Sequence, residues 1–180
     1  MTRRPRLKVS KTDAAKRQIE TAIRLWFFSG DPVSIHTLAA AAHQILHDLG
    51  KKRGVSAILR DLPGVRPERK KELRELLGRY ENFFKHADKD PEALLDFNPD
   101  ATELFMLDAV FTYESLTQEV APILSTFKAW MLIHEPRYMN EKDRESLIGR
   151  LNACSTDFTH IPKAEFFTEY QSILMRLGVT

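Results

Sequence analysis

Over residues 79 to 86, RYENFFKH, a guanidinium, a carboxamide and an imidazole follow one another at spacings of three and four: Arg79, Asn82 and His86. At about 100° per helical residue the three fall within roughly 60°, so a helix presents them as one narrow stripe. Arg supplies a fixed fork for phosphate oxygens, Asn a donor and an acceptor, and His a proton exchanged near neutral pH. That set suits phosphodiester chemistry. The plainer alternative pairs Arg79 with Glu75, leaves Asn82 in solvent and places His86 at a helix end, where a charged imidazole is favoured.

A second constellation lies earlier in the chain. His36, His43 and His47 are separated by seven and four residues, which confines them to a strip roughly 40° wide on a helix. The spacing of His43 and His47 lets one helix chelate a transition metal, with Asp48 or a carboxylate from another helix completing the set. No Glu follows His43, as the helix of a zinc peptidase requires. Two other uses fit the same strip. Beside Ala39, Ala40, Ala41 and Ala42 it suits close helix packing or a seam between two copies, and its imidazoles can also join a nucleotide site.

Basic residues cluster in positions 3 to 17, at Lys51-Lys52-Arg53-Arg60 and at Arg66-Arg69-Lys70-Lys71-Arg74, whereas the acids concentrate after Asp88. Clustered Lys and Arg release condensed counterions when they neutralise phosphates, which makes Lys51, Lys52, Arg53, Lys70 and Lys71 candidate nucleic-acid contacts. The alternative for any one cluster is a solvated helix face with local ion pairs.

Helices must position all of these groups, since helical periodicity fills the chain and strand signals are nearly absent. Ala15, Ile19, Ala22, Ile23, Trp26 and Phe27 predict a first helix from Asp13 to Ser29-Gly30. Asp31 as cap and Pro32 at the first position open a second, which runs to Gly50 with Lys51, Lys52 and Arg53 at its negative end. Residues 54 to 64 read as a short helix or packed loop. Pro67 opens a third long helix, to Ala87, with Leu73, Leu76, Leu77, Tyr80, Phe83 and Phe84 on its apolar face. Further helices follow from Asn98-Pro99, over Glu119 to His134, over Asn140 to Ala153 and over Pro162 to Leu177. Amphipathic helices on short connections bury their stripes only against one another, so the expected fold is all-α: a single-domain bundle of six or seven helices over residues 13 to 180, behind a disordered basic arm of residues 1 to 12.

With that architecture, the Arg79, Asn82, His86 pattern resembles the HEPN domains, all-α bundles whose motif is an Arg followed after four to six residues by His, often with a polar residue after the Arg. Here six residues separate Arg79 from His86. Asn82 stands at the family's usual distance before the His, but Glu81 rather than Arg precedes it. The resemblance implies a metal-independent endoribonuclease, or a silent relative that binds RNA, nucleotide or protein, often as a homodimer with two motifs facing one cleft. In that reading His86 exchanges the proton, Arg79 stabilises the phosphoryl oxygens, and Asn82 orients substrate or imidazole. No cofactor is implied.

Composition sets the outer limits. The 180 residues, 43% hydrophobic and 29% charged, suffice for one domain with a real core. A lone cysteine, Cys154, can neither close an internal disulfide nor build a metal quartet, which fits the cytoplasm. No apolar stretch resembles a signal peptide or a membrane span. Gly-rich phosphate loops, dinucleotide fingerprints and nucleophile elbows are absent from the sequence, and Trp26, Trp130 and Phe166-Phe167 read as core. Three readings stand: an RNA-cleaving or RNA-binding domain, a metal-binding bundle, and a non-catalytic oligomerising module.

Overall fold

The computed structural model describes residues 6–62, 66–88, 90–135 and 157–179, with a few positions between 141 and 149; the side chains of residues 67, 68, 72, 73 and 76 lie outside that description. The protein is all-α, and among the described residues there is no strand. Helix α1 spans Lys11–Phe27, α2 Pro32–Arg53, α3 Ile58–Asp61, α4 Pro67–Lys85, α5 Ala101–Thr117, α6 Pro122–His134 and α7 Lys163–Arg176. The helix expected over Asn140 to Ala153 falls mostly outside the described residues, as do the apolar side chains expected at Leu73 and Leu76.

Local chemistry sets the helix ends. Helix α1 begins two residues before the expected Asp13, because Ser10 Oγ accepts the Asp13 N–H at 3.0 Å while Asp13 Oδ2 accepts the Ser10 N–H at 3.1 Å. This reciprocal cap draws Lys11, Thr12 and Asp13 into one first turn and shortens the expected arm, of which the described residues 6 to 10 are exposed. Asp31 caps α2 through the Ser34 N–H at 2.7 Å, with Pro32 at the first position.

Gly50, expected to end α2, instead sits inside it, and the helix runs one turn further to Gly54, which adopts φ 73°. The reason is a close approach: a Cβ on Gly50 would lie 2.6 Å from the Val55 carbonyl oxygen as the chain folds back. The glycine serves contact with the turn, not termination.

The core forms where α1, α2 and α5 meet, and α1 with α2 makes the most extensive helix pair. Ile19, Ile23, Phe27, Leu46, Met106 and Val110 are buried there, with Phe127 and Phe166 arriving from α6 and α7. Each such side chain contributes roughly 1.5–3 kcal/mol on burial. Ala39, Ala40 and Ala42 are fully buried within the chain, so this run serves close packing between helices and not a seam between copies. Among the described residues, no helix is long and apolar enough to cross a membrane.

Candidate functional site

Helix α4 carries two concave surfaces on different faces. One is a groove of about 1150 Å³ between the end of α4 and the following segment, lined by Arg79, Asn82, Phe83 and His86 together with Leu94 and Leu95. All three members of the proposed stripe are exposed and share this groove. His86, however, is no longer helical: α4 ends at Lys85, and His86 has φ −132° and ψ 133°. The helix expected to reach Ala87 thus ends two residues earlier, with His86 already in extended backbone. His86 keeps its N–H on the Asn82 carbonyl at 3.1 Å, which holds the two residues close through the backbone. Glu75, Asp88 and Asp90 also line the groove, so its charge is mixed.

The other surface is a cleft of about 390 Å³ where α2, α3 and α4 meet, lined by His43, His47, Lys51, Arg60, Asp61 and Arg74 over a floor that includes Phe105. A buried polar network forms its wall. His43 Nε2 lies 2.7 Å from Asp108 Oδ2, and Arg60 Nε donates to His43 Nδ1 at 3.1 Å. A guanidinium can only donate, so Nδ1 is the acceptor and Nε2 carries the proton given to Asp108. Asp108 also accepts the Ile58 and Leu59 N–H groups, each at 2.9 Å, and so fixes the start of α3. Arg60 continues to Glu81 at 2.9 Å, and Lys85 closes on the same carboxylate at 2.7 Å.

Charge in this network follows its surroundings. Burial pushes Asp108 up, but the hydrogen bonds from His43 and Leu59 outweigh it and hold the carboxyl below its ordinary value. Burial pushes the His43 imidazole down against the pull of Asp108. For Glu81, burial is again outweighed, by Lys85 and Arg60. The result is a neutral imidazole clamped between a carboxylate and a guanidinium.

The three histidines of α2 are buried and do not converge. His43 spends both nitrogens as described. His47 Nε2 bonds Asp61 Oδ1 at 3.0 Å, while Asp61 Oδ2 accepts Ala57 N–H and Ser56 Oγ–H. His36 Nδ1 meets Thr102 Oγ1 at 2.9 Å, and its ring sits edge-on to Tyr80, Phe84, Phe97 and Phe105. Burial among those rings lowers its pKa to about 4. Among the described residues no three His, Cys, Asp or Glu side chains gather in a metal-holding group. The metal reading of His36, His43 and His47 is therefore replaced by three separate buried hydrogen bonds. Asp48, the suggested fourth ligand, is exposed; its Oδ1 accepts from Gln44 at 2.9 Å and lies 3.8 Å from His47 Nδ1.

The basic candidates scatter. Lys51 lines the cleft, and Lys70 Nζ caps the Asp61 carbonyl at 3.1 Å. Lys52 is exposed, Arg53 points to the Leu116 carbonyl, and Lys71 lies 3.9 Å from Glu75. The sequence reading missed Asp108, Asp61 and Arg60 as partners of His43 and His47, and Glu81 as the partner of Arg60. One signal was available: Asp108 interrupts the apolar run Phe105 to Phe111, and an acid on a buried face needs a partner. No family model matches the chain, and no curated protein or solved structure matches it.

Proposed function

We propose that this chain is a HEPN-like RNA-binding domain, with metal-independent RNA cleavage as the chemistry of the groove beside the end of α4. The observation that carries the reading is the shared lining of one open groove by Arg79, Asn82 and His86. In the reaction a ribose 2′-hydroxyl oxygen attacks the adjacent phosphorus and the bond to the 5′-oxygen breaks, leaving a 2′,3′-cyclic phosphate and a 5′-hydroxyl. His86 accepts the 2′-hydroxyl proton, water protonates the leaving oxygen, and Arg79 offsets charge on the phosphoryl oxygens. Asn82 orients the substrate.

Incubation of the purified chain with RNA in EDTA at neutral pH tests this. Cleavage by the wild type that His86→Ala abolishes supports it; equal cleavage by both, or none by either, removes the nuclease claim. A second reading, RNA binding without cleavage, is favoured by the mixed charge of the groove and by the displacement of His86 from the helical stripe. It predicts RNA binding that Arg79→Ala weakens, with no product. The resemblance also implies a homodimer. Leu94, 98% exposed at the groove, is the apolar group that such a contact would cover. Sedimentation as a monomer at micromolar concentration removes the dimer from this reading.

A further inference from the structure

The cleft of α2, α3 and α4 has a composition that its structural role does not require. Three cations reach it, Lys51 from α2, Arg60 from α3 and Arg74 from α4, against one carboxylate, Asp61. That carboxylate is already spent, with His47 on one oxygen and Ala57 N–H and Ser56 on the other. Among the described residues, neither Lys51 nor Arg74 has a carboxylate within ion-pair distance; Arg74 donates only Nε, to the Arg60 carbonyl at 3.3 Å. Two uncompensated positive charges therefore face one concavity beside a third that is neutralised by Glu81.

We propose that this cleft binds a phosphate monoester on a small organic molecule, with a nucleoside monophosphate as the matching size and class. Arg60 is held in place by His43 and Glu81. Its guanidinium plane is thus set before any ligand arrives, which reduces the entropy lost on binding. Arg74 keeps both terminal nitrogens for a bidentate contact with phosphate oxygens, and Lys51 adds a point charge. A monoester dianion matches the two unpaired cations, whereas a phosphodiester carries one charge. Leu59, Leu77 and Phe105 also line the cleft and give it an apolar wall suited to a base or sugar. A volume of about 390 Å³ lies within the range of small-molecule sites, which span roughly 300–1,000 Å³.

The site is distinct from the groove of Arg79, Asn82 and His86, so the two can fail separately. Equilibrium dialysis of the full chain against AMP, adenosine, inorganic phosphate, and a short RNA with and without a 5′-phosphate tests it. The expected result is saturable AMP binding at one site, none by adenosine, and inorganic phosphate weaker than AMP by about tenfold through loss of the apolar wall. The double variant Lys51→Gln, Arg74→Gln lowers AMP affinity at least about tenfold, given what charge-assisted hydrogen bonds contribute. Arg74→Glu alone does the same, and Arg79→Ala leaves AMP binding unchanged. Thermal melts of the variants check folding, and both substituted side chains lie on the surface. Absent AMP binding at millimolar concentration, equal binding of adenosine, or indifference to the cleft substitutions overturns the proposal. So does binding confined to 5′-phosphorylated RNA, which assigns the phosphate to a polymer end.

Discussion

Asp108 is the residue on which most depends. It takes one side-chain and two backbone donors from α2 and α3 inside a helix that otherwise buries hydrocarbon. Asp108→Ala leaves His43 and two N–H groups unpaired in a buried setting, and should cost about 3–5 kcal/mol in urea unfolding. Asp108→Asn keeps an acceptor oxygen and should cost less. His36 supplies a pH-dependent contribution of known sign. Its folded pKa of about 4 lies below the ordinary 6.5, so the unfolded chain takes up the proton first as pH falls. The stability that the neutral ring contributes is complete above pH 6.5 and is lost between there and pH 4, to a total of roughly 3 kcal/mol. Urea midpoints across that window should flatten in His36→Leu, with a remaining slope of the same sign from His43, which burial also lowers, and, toward pH 4, from carboxylates such as Asp108 and Glu81 that are held below their ordinary values.

Among the elements, α2 departs most from what its residues suggest. A glycine followed by Lys51, Lys52 and Arg53 has the form of a helix terminus, and the spacing of apolar residues gives no sign of the turn that comes back over Gly50. The contrast with Gly78 tests the explanation. Gly50→Ala brings a Cβ to 2.6 Å from a backbone oxygen that cannot swing aside, and should destabilise by about 1–3 kcal/mol. At Gly78, inside α4, a Cβ meets only Asn82 Nδ2 at 3.6 Å, an ordinary contact. Gly78→Ala should therefore stabilise by up to about 1 kcal/mol through helix propensity alone. Chemical denaturation of both variants decides. The start of α2 at Asp31-Pro32, with its side-chain cap and proline, was legible in the residues, whereas α6 begins at Pro122 and not at the expected Glu119. The end of α4 was not legible either, and its misplacement by two residues moved His86 off the helical stripe.

For the whole molecule, the two concave surfaces of α4 set what can be measured. An RNA strand along the groove should show affinity falling linearly with salt on logarithmic axes, with a slope of about −0.7 for each phosphate neutralised on a single strand. Arg79→Ala should make that slope shallower by about one phosphate and weaken all sequences alike. An unchanged slope removes Arg79 from the contact.

Read alone, the residues determined the class of the fold. Apolar positions at intervals of three and four, with caps and prolines between them, leave helices no stable arrangement other than packing on one another. They also singled out Lys51, Arg60 and Arg74 as members of basic clusters. What they left open was pairing across the bundle. His43 meets an acid 65 positions away and His36 a hydroxyl 66 away, and periodicity along one helix carries no information about which neighbour lies opposite. Tertiary packing made that choice. It turned a strip of imidazoles with chelating spacing into three separate buried hydrogen bonds, and it gathered cations from three helices around one cleft.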